Sequence, residues 1–276
     1  MNLRHVIALL VISLFSVQPA LAADALYDKV MKNGTIRCGY VIFPPFLMKE
    51  DGKTLSGVSY DAFNAMGNAM GLKVEWVEEV PWDNLIAGLD SGRIDAICSF
   101  LGVSAQRMTR ADFLTAPLYS VEGVWVRRDE KRFTKNEQLD SPDVTFAATE
   151  GTMFGGMVAN DFPKAKLNSL PGTTSFTEQL LTVTTGKADA TIMDNYVSLK
   201  YLEANPNAIK EVQPGRIYRV LPVSSMIPMG EVRFKIMLNG ALDEIINNGV
   251  FDKIYDKYNV PKGSVLKRAN GHMPAE

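Results

Sequence analysis

The chain has 276 residues, of which 46% are hydrophobic and 22% are charged, and its formal net charge is −2 at pH 7. These values are typical of a globular protein, and the length suits one large domain or two modest ones. A charge so close to neutral, without a basic stripe, gives no indication of nucleic-acid binding. The chain holds only two histidines, which argues against a catalytic triad or a histidine metal site.

The first 22 residues have the pattern of a secretory signal peptide. Arg4 and His5 precede an apolar run over residues 6–15, and Ala20-Leu21-Ala22 forms a small-x-small cleavage site. The apolar run is too short to span a bilayer. We therefore expect the chain to be exported and cleaved near Ala22. At the other end, the polar residues 269–276 are expected to form a disordered tail.

The next part of the chain alternates between strand and helix patterns. Residues 58–70 place apolar side chains at helical spacing and end at Gly71, and residues 73–78 alternate as in a strand. The predicted elements are a helical turn at 26–31, strand 35–42, a loop at 43–46, a turn at Asp51-Gly52, helix 58–70, strand 73–78, a helix that carries Leu85, Ile86 and Leu89 and ends at Ser91-Gly92, and strand 94–98. This β-α-β-α-β order predicts a parallel sheet.

The loop after strand 94–98 leads to a candidate ligand-binding arginine. The chain leaves the strand through residues 99–102, and Ser104 can cap a short helix with Arg107 in its first turn. A cation there opposes the helix dipole, so the position is poor for local stability. Arg107 is either a solvated surface arginine or a guanidinium fork that faces a ligand carboxylate above the sheet.

The two cysteines, Cys38 and Cys98, fall in strands that we expect to be neighbours. A single pair cannot form a disulfide framework. A disulfide between them is one alternative in an oxidising compartment, and two buried thiols are the other.

The second half of the chain repeats the alternation on a smaller scale. The segments SGRIDAICSF and TGKADATIMD share a Gly turn followed by an apolar strand, which supports two units built alike. The predicted elements are strand 118–128, a polar stretch at 129–142, strand 144–148, a turn at 150–152, a helix beginning at 153–160, helix 177–184, strand 188–193 ending at Asp194, helix 196–204, strand 217–226, and a helical segment at 234–258 broken at Gly249.

Three segments, GLDSGRIDAI, VSAQR and ADFLTAPLY, resemble a known family. They are similar to the polar amino-acid-binding family of periplasmic solute-binding proteins of ABC importers, which have the type II or Venus-flytrap fold. The resemblance implies an α/β fold with two lobes, each a mainly parallel sheet flanked by helices, joined by two hinge strands. The implied boundaries are 1–22 for the signal peptide, 23–120 for lobe 1, 121–222 for lobe 2 and 223–268 for a return to lobe 1.

The resemblance also implies a ligand site. It assigns Arg107 to the ligand α-carboxylate, Asp194 to the α-ammonium, and Phe43 and Trp82 to a sandwich around the side chain. The turn at Gly151-Thr152 would add N–H groups for the carboxylate. The other positions implied to line the site are Ser99, Phe100, Gly102 and Met153.

Each of these residues also has a structural alternative. Asp194 can cap a helix, the turn before Met153 can be an ordinary strand-to-helix connection, and the aromatic residues can be core packing. Relatives carry hydroxyl side chains where this chain has Gly102 and Met153. Carboxylate binding is therefore expected to rest on Arg107 and main-chain donors.

The resemblance implies a periplasmic binding protein that captures a small amino-acid-like ligand between two lobes and delivers it to the permease of an ABC importer. We expect a monomer that needs no metal or cofactor and is not an enzyme. The alternatives are an accessory or sensory binding protein with another partner protein, and a dehydratase on the same fold, which needs an acid/base pair with perturbed pKa. Because no acid follows the first strand before Glu50, we expect a neutral ligand and discrimination against basic amino acids.

Overall fold

The computed structural model of the chain describes residues 25–268. The predicted signal peptide and the predicted disordered tail lie outside this range. The helices are α1 (Ala25–Asn33), α2 (Val58–Met70), α3 (Leu85–Asp90), α4 (Ala105–Met108), α5 (Phe154–Asp161), α6 (Phe176–Thr184), α7 (Asn195–Ala204), α8 (Val232–Asn247) and α9 (Val250–Lys257), with 3-10 turns at Trp82–Asn84 and Asn136–Leu139.

The strands are β1 (Thr35–Tyr40), β2 (Met48–Glu50), β3 (Thr54–Ser56), β4 (Lys73–Glu79), β5 (Ala96–Gly102), β6 (Ala111–Phe113), β7 (Leu118–Arg127), β8 (Thr145–Thr149), β9 (Lys166–Leu170), β10 (Ala190–Asp194), β11 (Ile209–Glu211), β12 (Arg219–Pro228) and β13 (Val265–Lys267). Seven of the strands were predicted, and β2, β3, β6, β9, β11 and β13 are additional. The predicted turn at Asp51-Gly52 connects β2 and β3, which pair as an antiparallel hairpin.

Most strands belong to one mixed sheet with the order β4-β1-β5-β12-β7-β10-β8-β9. The first three strands are parallel and form lobe 1, and the last three are parallel and form lobe 2. Between them β7 and β12 run antiparallel to each other, as the two predicted hinge strands. This is the predicted α/β fold with two lobes. Residues 120 and 222 lie in β7 and β12, and the lobe boundaries placed there stay a prediction.

Local sequence explains where several helices end. Gly71 adopts the left-handed conformation with φ 67° after α2. Its N–H donates to the Asn68 carbonyl oxygen and the Leu72 N–H donates to that of Gly67, which closes the helix. Gly249 has φ 77° and separates α8 from α9, so the helical segment breaks where its sequence predicts. Among residues 25–268, no helix is both long enough and apolar enough to cross a membrane.

The predicted loop at residues 99–102 is wrong, because these residues continue β5. The strand begins at Ala96 and runs to Gly102, and its last residues pair with β12, where Gly102 lies opposite Val223. Phe100 and Leu101 are fully buried there. The pairing partner lies more than a hundred residues away in the chain, so the local pattern of a short strand followed by a Gly turn was misleading.

A disulfide joins Cys38 on β1 to Cys98 on β5. The two strands are parallel neighbours, with Cys38 in register with Ala96, and the Cα atoms of the two cysteines are 5.4 Å apart. The disulfide alternative is therefore the one found, and it cross-links the centre of the lobe 1 sheet.

Candidate functional site

Arg107 lies where the sequence predicts, on α4 just after β5. The Ser104 hydroxyl accepts a hydrogen bond from the Arg107 backbone N–H and caps the helix. The guanidinium donates to the carbonyl oxygen of Gly102 at 2.7 Å and to that of Gly151 in lobe 2 at 2.5 Å. Burial lowers the pKa of Arg107 to about 10, so the side chain keeps its positive charge at neutral pH. Its remaining N–H groups can bind an anion.

The Arg107 side chain lines a small cavity between the two lobes. The cavity has a volume of about 20 Å³, which is close to the space that one water molecule needs. An amino acid therefore needs these walls to move apart. The residues that line the cavity are Phe43, Trp82, Gly102, Arg107, Ser120, Glu122, Thr152, Met153, Phe154, Phe176 and Leu221.

Aromatic rings from both lobes form one wall of this cavity. Phe43 and Trp82 of lobe 1 contact each other with ring centroids 5.7 Å apart. Both contact Phe176 of lobe 2, at 5.2 and 5.5 Å, and Phe154 packs against Phe176 at 5.8 Å. The Arg107 guanidinium lies 5.8 Å from the Trp82 ring, within the range of a cation–π contact. The wall is thus apolar, with one cation at its edge.

Gly102 and Met153 are in direct contact across the cleft. A Cβ atom at residue 102 would lie 2.6 Å from the Met153 sulfur, so a serine or threonine there could not coexist with this position of the methionine. The resemblance to the family implies hydroxyl side chains at both positions. Here the glycine at residue 102 leaves the space that the methionine at residue 153 fills. Together they leave this part of the cavity without hydroxyl groups.

Two glycines of lobe 2 approach the Trp82–Asp83 segment of lobe 1 closely. A Cβ at Gly151 would lie 2.2 Å from the Trp82 carbonyl carbon, and a Cβ at Gly172 would lie 2.4 Å from an Asp83 carboxylate oxygen. The Trp82 N–H also donates to the Gly172 carbonyl oxygen at 3.2 Å. Thr152 lines the cavity beside this contact, and its hydroxyl donates to the Thr149 carbonyl oxygen at 2.6 Å. The lobes are therefore in contact across the cleft.

Asp194 caps α7 and lies behind the cavity rather than on its wall. One carboxylate oxygen accepts from the backbone N–H groups of Tyr196 and Val197, at 2.8 and 3.2 Å. The other oxygen is buried and has no hydrogen-bond partner among residues 25–268. Burial and the neighbouring carboxylate of Glu122 raise the pKa of Asp194 well above its usual value. The capping alternative is realised, and the ligand role remains a proposal.

Ser99 and Phe100 do not line the cavity. The Ser99 hydroxyl accepts from the Val41 N–H at 3.0 Å and donates to the Val41 carbonyl oxygen at 2.9 Å, which ties β5 to the chain after β1. Phe100 packs in the lobe 1 core, with Phe63 and Phe251 among its aromatic contacts. Both side chains are buried and neither is among the residues that line the cavity, so we leave both out of the proposed site.

Sequence reasoning missed Glu122, which faces the cavity from the middle of β7. Burial raises the pKa of Glu122 to about 7, although a hydrogen bond from the Ser120 hydroxyl at 2.6 Å opposes the shift. A signal was present, since Glu122 is the one charged residue in the otherwise uncharged run LYSVEGVWV. Phe154, Phe176, Ser120 and Leu221 were also missed, and nothing in the local sequence links them to the cleft.

Several known proteins are similar to this chain. A probable histidine-binding protein of Neisseria gonorrhoeae is 25% identical over 225 residues, which cover 80% of this chain and 81% of the relative. The L-arginine-binding protein of Pseudomonas aeruginosa is 24% identical over 232 residues, with 78% and 84% covered.

Solved structures share the fold. An ancestral amino acid-binding protein, described as a precursor of cyclohexadienyl dehydratase, has a TM-score of 0.73 and 27% identity, covering 84% of this chain and 98% of its own. An ancestral arginine-binding protein bound to arginine has a TM-score of 0.71 and 27% identity, with 82% and 98% covered. Residues 36–261 match a single family over most of the chain. With its two-lobed fold and the predicted motif around Arg107 in place, the chain belongs to the bacterial extracellular solute-binding proteins, family 3.

Proposed function

We propose that the chain is the periplasmic substrate-binding protein of an ABC importer and captures a small amino acid between its two lobes. The observation that carries the proposal is the cavity at the lobe interface, where the Arg107 guanidinium meets an aromatic wall. A guanidinium fork matches the planar geometry of a carboxylate. Relatives named as histidine-binding and arginine-binding proteins support an amino acid as the ligand class.

The binding cycle follows from the two strands that connect the lobes. Rotation about β7 and β12 opens the cleft, and the ligand enters and contacts Arg107. Closure brings Gly151 and Gly172 against the Trp82–Asp83 segment, as in this structure. The ligand drives this motion because it binds the closed form more tightly than the open one. No covalent step is required.

The walls favour a ligand with a neutral side chain. Phe43, Trp82, Met153 and Phe176 form a mainly apolar lining, and a distal cation buried against these side chains, away from Glu122, would lose its hydration without a matched partner. Basic amino acids should therefore bind weakly. Micromolar binding of arginine or lysine, with none of a neutral amino acid, would contradict this ligand class.

Localisation and partners complete the proposal. The leader at residues 1–22 directs export to the periplasm with cleavage near Ala22, and the closed monomer docks on a membrane permease. An accessory or sensory role would use the same binding cycle with another partner protein.

A dehydratase is the second candidate function, and one observation favours it. Glu122 is a carboxyl group at the cavity with a pKa near 7, which suits a general acid at neutral pH. One structural neighbour is described as a precursor of cyclohexadienyl dehydratase. Catalytic formation of an aromatic product from a cyclohexadienyl substrate, lost in Glu122→Gln, would favour the enzyme over the binding protein.

A screen of the purified protein against the common L-amino acids tests the proposal. A true ligand raises the melting temperature in a concentration-dependent way, because it binds only the native state. Calorimetry should then give saturable binding with one site per chain. If no L-amino acid shifts the melting temperature at millimolar concentration, the proposed function is wrong.

A further inference from the structure

The junction between β1 and β5 has little backbone pairing for two strands in the middle of a lobe. Six residue pairs join β1 to β4. Among residues 25–268, two pairs join β1 to β5, and the last of them is Gly39 with Ile97. Beyond that pair, β1 leads to Phe43 and β5 leads to Arg107, which both line the cavity. The ladder therefore ends before it reaches either site residue.

Side chains join the two strands where the ladder ends. The disulfide links Cys38 to Cys98, the residue that follows Ile97. Further along, the Ser99 hydroxyl accepts a hydrogen bond from the Val41 N–H at 3.0 Å and donates one to the Val41 carbonyl oxygen at 2.9 Å. One hydroxyl thus satisfies both polar groups of a backbone position beyond the end of β1. All four residues are buried, so water does not compete for these contacts.

The end of β1 carries the aromatic wall of lobe 1. Phe43 begins a turn that is closed by backbone hydrogen bonds among residues 43–47. The Tyr40 carbonyl oxygen accepts a hydrogen bond from the Val80 N–H at 2.7 Å, two residues before Trp82. The backbone that supports both rings is therefore attached to the end of β1.

Arg107 is held by a different part of the sheet. Gly102, at the end of β5, lies in register with Val223 on β12, and the Val103 N–H donates to the Pro222 carbonyl oxygen at 2.9 Å. The Arg107 guanidinium donates to the Gly102 carbonyl oxygen. Arg107 is thus fixed to β5 and β12, whereas the aromatic wall is fixed to β1. The spacing between them depends on the β1–β5 junction.

Resting on the proposed function, we infer that Ser99 and the Cys38–Cys98 disulfide are positioning elements of the ligand site. They do not line the cavity. They fix the end of β1 against β5, and so hold the aromatic wall at the binding-competent distance from Arg107. Without them the chain folds but populates that spacing for a fraction of the time, and its apparent affinity falls by that fraction.

A role in stability alone predicts a different result, and Arg37 provides the matched control. Its guanidinium donates to the buried Asp95 carboxylate at 2.6 and 3.1 Å, at the end of the same junction that lies away from the cleft. Arg37→Lys keeps the charge and loses the two-pronged contact. It should lower the melting temperature and leave the ligand affinity within about twofold of the wild-type value, because the ends of β1 and β5 near the cleft are unchanged.

The test uses the full mature chain in non-reducing buffer and the L-amino acid with the largest thermal shift in a panel of L-methionine, L-phenylalanine, L-glutamine, L-histidine and L-arginine. Calorimetry below the melting temperature compares the wild-type protein with Ser99→Ala and with Cys38→Ala/Cys98→Ala. Each variant should bind about tenfold more weakly, as expected when roughly one molecule in ten holds the competent spacing. Melting curves show that each variant is folded, and Ser99→Ala keeps the disulfide.

Hydrogen exchange measured by NMR tests the contact between Ser99 and Val41 without any ligand. In Ser99→Ala the Val41 amide loses its acceptor and should exchange at least about tenfold faster than in the wild-type protein. In Arg37→Lys the Val41 amide should exchange at the wild-type rate. This comparison reports on the end of β1 itself, so a general loss of stability does not reproduce it.

The outcomes separate this inference from the proposed function. If folded Ser99→Ala and Cys38→Ala/Cys98→Ala bind the amino acid with wild-type affinity, the positioning role is wrong while the binding function stands. If Arg37→Lys weakens binding as much as they do, affinity follows the stability of lobe 1 and the positioning role is again wrong. An unchanged exchange rate at Val41 in Ser99→Ala contradicts the role of the hydroxyl. If none of the common L-amino acids binds, the proposed function fails and this inference fails with it.

Discussion

At the scale of single residues, the least expected feature is a carboxyl group with a pKa of about 7 in the middle of a connecting strand. A folded-state pKa above the unfolded value of 4.5 means that the folded protein holds the Glu122 proton longer than the unfolded chain does. The contribution of this group to stability is fully present below about pH 4.5 and is lost as pH rises to about 7. Glu122 therefore makes the free energy of unfolding smaller at neutral pH than at acidic pH.

Glu122→Gln should remove this part of the pH dependence in the absence of ligand. The unfolding free energy of the wild-type protein should fall between about pH 5 and pH 8, with Glu122 contributing on the order of 3 kcal/mol at most. The variant should show a smaller fall, and Glu150→Gln should behave as wild type. Urea denaturation at the two pH values measures the difference, and an identical fall in Glu122→Gln would contradict the assignment.

The site residues that could be predicted from sequence are those fixed by local chemistry. Ser104 and Arg107 lie three residues apart, and the cap and the first turn follow from that spacing alone. The environment of Glu122 comes instead from β10 and β12, which lie about 70 and 100 residues further along the chain. Local sequence marks it as an unusual acid without revealing what surrounds it.

At the scale of elements, closure depends on two glycines of lobe 2 that meet the Trp82–Asp83 segment. A Cβ at Gly172 would lie 2.4 Å from a carboxylate oxygen of Asp83, and the exposed Asp83 side chain must turn aside to admit it. Displacing one exposed side chain costs at most about 1 kcal/mol. Because only the closed form suffers the clash, the cost should appear as weaker ligand binding.

Gly172→Ala should therefore weaken ligand binding by up to roughly fivefold without unfolding either lobe. The double variant Asp83→Ala/Gly172→Ala should recover most of the affinity, since the clashing carboxylate is gone. Gly156→Ala is the matched control in lobe 2, because a Cβ there meets nothing within 4 Å. Calorimetry measures all three, and wild-type affinity in Gly172→Ala would show that this contact is not part of closure.

The elements that sequence predicts well are those with their own hydrophobic periodicity and a local signal, such as a glycine, where they end. Helix α2 has the predicted bounds because its apolar spacing and Gly71 are local signals. Strands β6, β11 and β13 have three residues each and were not predicted, because they exist only through pairing with β7 and β12. The same long-range pairing turns residues 99–102 from a predicted loop into the end of β5.

At the scale of the whole molecule, the two hinge strands do more than connect the lobes. The same β7 strand pairs with β12 at one end and with β10 at the other, and it carries Ser120 and Glu122 into the cavity between them. A ligand that touches this strand and Arg107 therefore contacts both the hinge and lobe 1. Binding and closure are coupled because the same strand takes part in each.

The central claim is that Arg107 binds the carboxylate of an amino acid in the cleft between the lobes, and titration of the wild-type protein and of Arg107→Ala tests it most directly. The amino acid selected by the thermal screen is titrated into both proteins by calorimetry, with melting curves to show that the variant is folded. Removing one member of a desolvated charge pair costs on the order of 2–5 kcal/mol, so the account predicts affinity at least about 30-fold weaker in Arg107→Ala. A folded Arg107→Ala protein that binds the same amino acid with wild-type affinity would contradict the account.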